Sequence, residues 1–382
     1  KQGAKYAIVD EAKYQTQDNI YLVENCLSFL QELALHHRRQ FDIPVIGITG
    51  SNGKTTSKEL IAAVLQEKYN IHFTQGNLNN HIGVPLTVLG INELHEITII
   101  EMGANKFKDI EELCDIAEPT VGIITNIGKA HLEGFINFEG VLKTKRELYE
   151  SIQKIGGKII FNGDDPVLIN ELPTNTTNIA YAQNEINAKV TGRIVKQTPF
   201  IEFQWKTKEY SSPTLKTNLV GEYNFYNFLA AVTFGIVFDV AEELINRALE
   251  SYTPSNNRSQ VTKTEKNTII VDCYNANPTS MSSAITSFSK IDHHKKLAIL
   301  GDMRELGNDE TTEHEKIIQL LKKENIETLF VGSVFQKLTN GKNSFGEVEE
   351  LKSQLIQSPI EDSLILLKGS RGIQLEKIIE NL

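Results

Sequence analysis

The chain has 382 residues, 40% hydrophobic and 23% charged, enough for two or three domains each with its own core. Its net charge of −10 argues against a nucleic-acid partner, because phosphate backbones select surplus lysine and arginine, but leaves room for a basic pocket that holds a small anion. The three cysteines, Cys26, Cys114 and Cys273, form no C-x-x-C pair, no apolar run approaches a membrane helix and the first residues do not resemble a signal peptide, so a cytoplasmic enzyme with reduced thiols is expected.

Residues 1–42 hold one apolar piece, KYAIVD, and one helical pattern, NCLSFLQELALHHRR. In that pattern Leu27, Leu30, Leu33 and Ala34 recur at helical spacing, and Arg38 and Arg39 suit its C-terminal end. This is too little to fold alone and reads as the edge or remnant of a small domain. From Pro44 a βαβ rhythm begins: VIGIT, EITIIEMG, VGIITNIG and GGKIIFNG read as buried strands, with helical stretches such as KTTSKELIAAVLQEKY between them. Such alternation implies a mostly parallel sheet with helices on both faces. Around 178–220 the texture changes to short Thr-rich alternating segments, AKVTGRIV and FIEFQW, expected as an antiparallel insertion. Two helices follow, EYNFYNFLAAVTFGIVF and AEELINRALESY. The polar loop TPSNNRSQ then divides a domain at 43–254 from a second α/β unit at 255–382, with strands TIIVDCYN, KLAILGDM, ETLFVG and SLILLKGS.

The stretch PVIGITGSNGKTTSKELIAAVL, residues 44–65, runs from a strand through glycines into a helix. Glycines there let backbone N–H groups turn inward, and the helix N-terminus adds partial positive charge, so the loop is read as a nucleoside triphosphate site. Gly50, Ser51, Asn52, Gly53, Lys54, Thr55 and Thr56 form it, with Lys54 on the β/γ-phosphates and the Thr55 hydroxyl at a Mg²⁺ position. The usual G-x-x-x-x-G-K-[ST] spacing fails, because Ile48 stands where its first glycine would fall. Phosphoryl transfer between anions needs cationic screening, so metal ligands should follow the loop. Glu101 ends one strand, and Asn126 and His131 lie just past the next, where ligands collect in open α/β sheets.

The shortened loop, T-G-x-N-G-K-T-T, resembles that of the Mur ligase superfamily, which includes the folylpolyglutamate synthases and uses ATP to join a carboxylate to an amine. The resemblance runs in one order from about Gly3 to the end. It implies a three-domain α/β architecture: a truncated N-terminal UDP-substrate domain, a central P-loop ATPase domain and a C-terminal Rossmann-like domain. In GNLNNHIGVPLTVL, Asn79, Asn80 and Gly83 match positions that approach the UDP-sugar and peptide. In GVLKTKRELYE, Lys145 matches a lysine whose carbamate helps hold a second Mg²⁺, although Thr144 and Arg146 replace the family's small flanking residues. Lys54, Lys145 and His131 are thereby the implied catalytic residues. Asn224 and Asn227 match positions near the adenine, Arg258 one near the ribose and phosphates, and Asp272 a ribose contact.

Two strings narrow the resemblance within the family. VDCYNANPTSM, residues 271–281, and LGDMRELG, residues 300–307, resemble the members that add D-Ala-D-Ala to UDP-N-acetylmuramoyl-tripeptide, with Asn275 and Asn277 as substrate contacts. Lys368, Ser370 and Arg371 of KGSRG would then meet the dipeptide carboxylate. The implied activity is an ATP- and Mg²⁺-dependent amide ligation through an acyl phosphate, in peptidoglycan precursor synthesis, by a monomer that neither binds nucleic acid nor enters a membrane. The family's first domain normally begins earlier, which implies either a truncated chain or weaker UDP binding. The third-residue-adding ligase is disfavoured because its D-N-P-R motif is missing, and folylpolyglutamate synthase because Y-N-A-N-P is present. A non-catalytic ATP-binding protein is the alternative of a different class.

Overall fold

The computed structural model describes residues 3–129, 132–135, 137–184, 187–255 and 257–382. Strands Ala7–Val9 and Ile20–Leu22 pair in parallel and lead into the helix Cys26–Arg38, whose Asn25 cap accepts from Ser28 N at 2.9 Å. Arg38 ends that helix but does more than complement its dipole. The guanidinium is buried and donates to the carbonyls of Ala117, Phe41 and Ile43, which clamps the helix to the next domain. Leu27 and Leu33, on the apolar pattern, remain exposed.

The middle of the chain forms a nine-stranded sheet. Across its width the order is Leu215–Val220, Phe200–Lys206, Val190–Lys196, Thr177–Ala182, Lys158–Asn162, Val121–Ile124, Val45–Thr49, Ile97–Glu101 and Ile71–Phe73. All neighbours are parallel except the two pairs made by Phe200–Lys206. The Thr-rich segments therefore extend the same sheet. Ile201, Phe203 and Trp205 alternate inward, and the Phe203 ring stacks on Phe228 of the helix Phe225–Val237 at 5.0 Å. Ile46 and Ile48 pack on one face against Leu60, Leu229 and Phe234, while Val45 and Ile100 pack on the other against Leu113 and Leu148.

One helix approaches that second face unusually closely. A Cβ on Gly47 would lie 2.9 Å from the Leu148 side chain of the helix Phe138–Lys154 and 3.1 Å from Pro119, so a larger residue there would require Leu148 to shift. The same helix carries the buried Lys145, which feels the charge of Lys54 at the start of the loop helix.

The C-terminal sheet has the order Gln260–Lys263, Thr268–Val271, Leu364–Lys368, Lys296–Gly301, Glu327–Val331 and Ser344–Phe345, parallel beyond its first pair. The helices Pro278–Ser289 and Glu310–Lys323 cover one face and Val348–Gln357 the other. Cys26, Cys114 and Cys273 are free, and among the described residues no helix is long and apolar enough to cross a membrane.

Candidate active site

The carboxyl ends of both sheets open onto one cavity of ≈ 750 Å³, within the usual size of a ligand site. The loop between Val45–Thr49 and Lys54–Gln66 forms its floor. Gly50 has φ 147°, and a Cβ there would fall 2.0 Å from Thr125 Oγ1, so the turn requires glycine twice over. Asn126 braces the same loop: its Oδ1 accepts from Asn52 N at 3.0 Å, and its amide donates to the Asn52 carbonyl at 2.9 Å. Lys54 Nζ folds back onto the Gly50 carbonyl at 2.7 Å, a contact that an anion in the loop would replace. Burial pushes its ammonium below the usual lysine range; Glu101 opposes that shift and Arg258 adds to it.

Behind the loop, the buried Glu101 ends its strand with Oε1 accepting from the Thr55 hydroxyl at 3.2 Å and from Asn79 Nδ2 at 2.8 Å. Its Oε2 is buried without a hydrogen bond. A buried carboxylate with one oxygen on a threonine hydroxyl and the other free of hydrogen bonds offers donor chemistry that suits a hard divalent cation. Lys145 is also buried, and no described carboxylate lies within ion-pairing distance of its Nζ. Desolvation, reinforced by the like charge of Lys54, holds its amine well below the usual range against weaker support from Asp109 and Glu147. His131 lies outside the described residues.

The opposite wall belongs to the C-terminal sheet. The Arg258 guanidinium lies 3.7 Å from the centroid of the Tyr274 ring, and that of Arg371 lies 5.4 Å from the same centroid. Asp272 and Lys368, expected at different substrates, pair with each other at 2.6 Å, and Asp272 Oδ1 also accepts from Ser259 N at 3.1 Å. Asn277 caps the helix Pro278–Ser289 through Ser280 N, while its Nδ2 donates to Asn52 Oδ1 at 2.7 Å, joining this domain directly to the phosphate loop. Lys129 to Glu313 at 3.0 Å makes a second bridge between the domains.

Ser51 to Thr56, Asn79, Asn80, Glu101, Asn224, Asn227, Arg258, Asp272, Asn275, Asn277 and Lys368 all line the cavity. Several do so with occupied side chains. Asn227 Oδ1 accepts from the Ser57 hydroxyl at 3.0 Å and its amide donates to Asn224 Oδ1 at 2.9 Å, a buried pair that props the loop helix. Asn80 Oδ1 accepts from Ile82 N and Gly83 N and so closes its own turn. Gly50, Gly83, Lys145, Ser370 and Arg371 stand outside the lining. Gly83 lies so close to Leu78 that a Cβ would come within 2.3 Å of that backbone, and the Ser370 hydroxyl accepts from Arg304 N at 2.9 Å. Sequence reasoning gave no role to Lys58 or Tyr274. Tyr274 lies inside the Y-N-A-N-P string, and Lys58 stands one helical turn past Lys54 among buried residues of the loop helix.

A strand–loop–helix phosphate cradle at the end of a parallel sheet, with an acidic strand end behind it, defines a nucleotide-binding α/β protein. Residues 48–235 match the Mur ligase middle domain, and residues 257–371 match the Mur ligase glutamate ligase domain. The chain is 34% identical over 376 residues to the UDP-N-acetylmuramoyl-tripeptide–D-alanyl-D-alanine ligase of Bacillus subtilis (strain 168), across 95% of this chain and 81% of that one. It superposes with a TM-score of 0.89 on MurF from Acinetobacter baumannii, at 29% identity, covering 100% of this chain and 85% of the other. MurF ligase from Thermotoga maritima in complex with ADP gives 0.87 at 26% identity, covering 99% and 88%. The chain belongs to the Mur ligase family.

Proposed function

We propose that this chain ligates D-Ala-D-Ala to UDP-N-acetylmuramoyl-tripeptide at the expense of ATP; the two joined substrates are those in the name of its Bacillus subtilis relative. One observation carries the reading: the phosphate loop, Glu101, the Asn79–Asn80 segment and the Tyr-Asn-Ala-Asn turn share a single cavity. Three substrates must meet for this reaction, and four separate chain segments from two domains meet here. We read 1–42, 43–254 and 255–382 as the domains that bring them, acting in the cytoplasm as a monomer.

The loop N–H groups and Lys54 hold the ATP phosphates, with Arg258 reaching over them from the third domain. The tripeptide carboxylate attacks the γ-phosphorus in line; the bond to the ADP oxygen breaks and an acyl phosphate forms. The neutral dipeptide amine then attacks the acyl carbon, and the tetrahedral adduct collapses to the amide with loss of phosphate and of one amine proton. The protein contributes position and charge rather than covalent chemistry. Mg²⁺ would be held by Thr55, Glu101, His131 and Lys145 as its carbamate, and when bound it screens the repulsion between carboxylate and phosphate. The neutral amine of Lys145 adds to CO₂ with loss of one proton, giving the carbamate. Asn79, held by Glu101, and Asn80 face the tripeptide. Asn275, Asn277, Ser370 and Arg371 face the dipeptide, with Lys368 positioned by Asp272.

Phosphate release tests the reading. It is expected only when ATP, UDP-tripeptide and D-Ala-D-Ala are all present; release that ignores either acceptor would leave an ATPase or a nucleotide-binding scaffold.

A further inference from the structure

Lys58 sits on the helix Lys54–Gln66, one turn beyond Lys54, with its side chain 1% exposed. Its ammonium donates to the Thr74 carbonyl at 2.7 Å and lies 3.9 Å from Glu101 Oε2, the oxygen that accepts no hydrogen bond. Thr74 in turn accepts from Glu101 N through its hydroxyl at 3.0 Å, and its own N–H donates to the Ile99 carbonyl. Three functional pieces therefore meet at one buried charge: the loop helix, the strand end that carries Glu101, and the start of the segment leading to Asn79 and Asn80.

A lysine that only filled space here would be costly. A buried ammonium with a single carbonyl acceptor is retained where an opposite charge balances it. We propose that Lys58 is an internal counter-cation that balances Glu101 before a divalent cation arrives and competes with that cation for the carboxylate. This rests on the reading of Glu101 as a cation ligand. Lys54 faces the phosphates and Lys58 faces the carboxylate, so two lysines one turn apart divide the anions of the site between them.

The test is Lys58→Met, which keeps length and removes charge. Without its partner, Glu101 becomes an uncompensated buried carboxylate. The variant should melt below wild type in chelator, recover on adding Mg²⁺ alone, and bind Mn²⁺ without nucleotide on the order of tenfold more tightly by electron paramagnetic resonance. Adding Glu101→Gln should restore the melting temperature in chelator and abolish the cation response. Equal Mn²⁺ affinity in Lys58→Met and wild type would overturn the proposal and leave Lys58 a packing residue. If Lys58→Met does not fold, the double variant decides: folding supports the charge pairing, and failure contradicts it. Substrate-dependent phosphate release by the wild type is unaffected by these outcomes, so failure here is distinguishable from failure of the ligase reading.

Discussion

Lys54→Ala is expected to lower kcat on the order of 10³-fold while leaving the fold intact. The ammonium is the one side-chain charge within the loop itself, and its present acceptor is the Gly50 carbonyl, a group of the same loop. Phosphate oxygens take over that bond, and their charge grows at the leaving oxygen as the bond to ADP breaks. The interaction is therefore stronger in the transition state than in the ground state, which makes its loss a loss of kcat. Stability should hold or rise slightly, because burial and the charge of Arg258 both disfavour the ammonium in the unliganded site and Lys145 lies in its field. Steady-state kinetics and a thermal melt check both halves. Turnover within about tenfold of wild type would remove the loop from the chemistry.

Lys145→Ala is expected to cost about 10²–10³-fold in kcat, and short carboxylic acids should restore part of it. The argument starts from electrostatics. A fully buried lysine beside Lys54, with no described carboxylate within ion-pairing distance, is held as the neutral amine well into the range where ordinary lysines are charged. A neutral amine in a dry site is the form that adds CO₂, and the product carries a carboxylate where the site otherwise has a surplus of cations. In the alanine variant the vacated volume admits a small acid in its place. ¹³C NMR of wild-type protein in labelled bicarbonate should show one carbamate signal that the variant lacks. Full activity of Lys145→Ala, or a spectrum without that signal, would contradict the assignment.

The sequence was most readable where local rules and chemistry coincide. Val45–Thr49, the glycine turn and Lys54–Gln66 follow from an apolar run, the left-handed Gly50 and helical spacing, and each lies where those rules place it. The parallel order could be expected from the βα rhythm, but not the parallel joining of Val190–Lys196 to the same sheet, because a short segment such as VTGRIVK does not say which neighbour it pairs with or in which direction. Short edge strands such as Ile71–Phe73 and Ser344–Phe345 carry too few residues to show a period. At the site, side-chain identity suggested ligands where the fold uses the same groups as struts. Asn80 closes a turn, Asn224 and Asn227 pair under the loop, and Asp272 spends its charge on Lys368. Only the last of these is long-range, joining residues 96 positions apart where no local pattern encodes the pair; the first two are local contacts made by side chains that can equally serve as ligands.

The measurement that bears most directly on the central claim is phosphate release across a panel of amines. D-Ala-D-Ala with UDP-N-acetylmuramoyl-tripeptide is compared with diaminopimelate, lysine and glutamate, each supplied with its matching acceptor. The account predicts turnover with D-Ala-D-Ala alone. Comparable turnover with any of the other three, and none with the dipeptide, would contradict it.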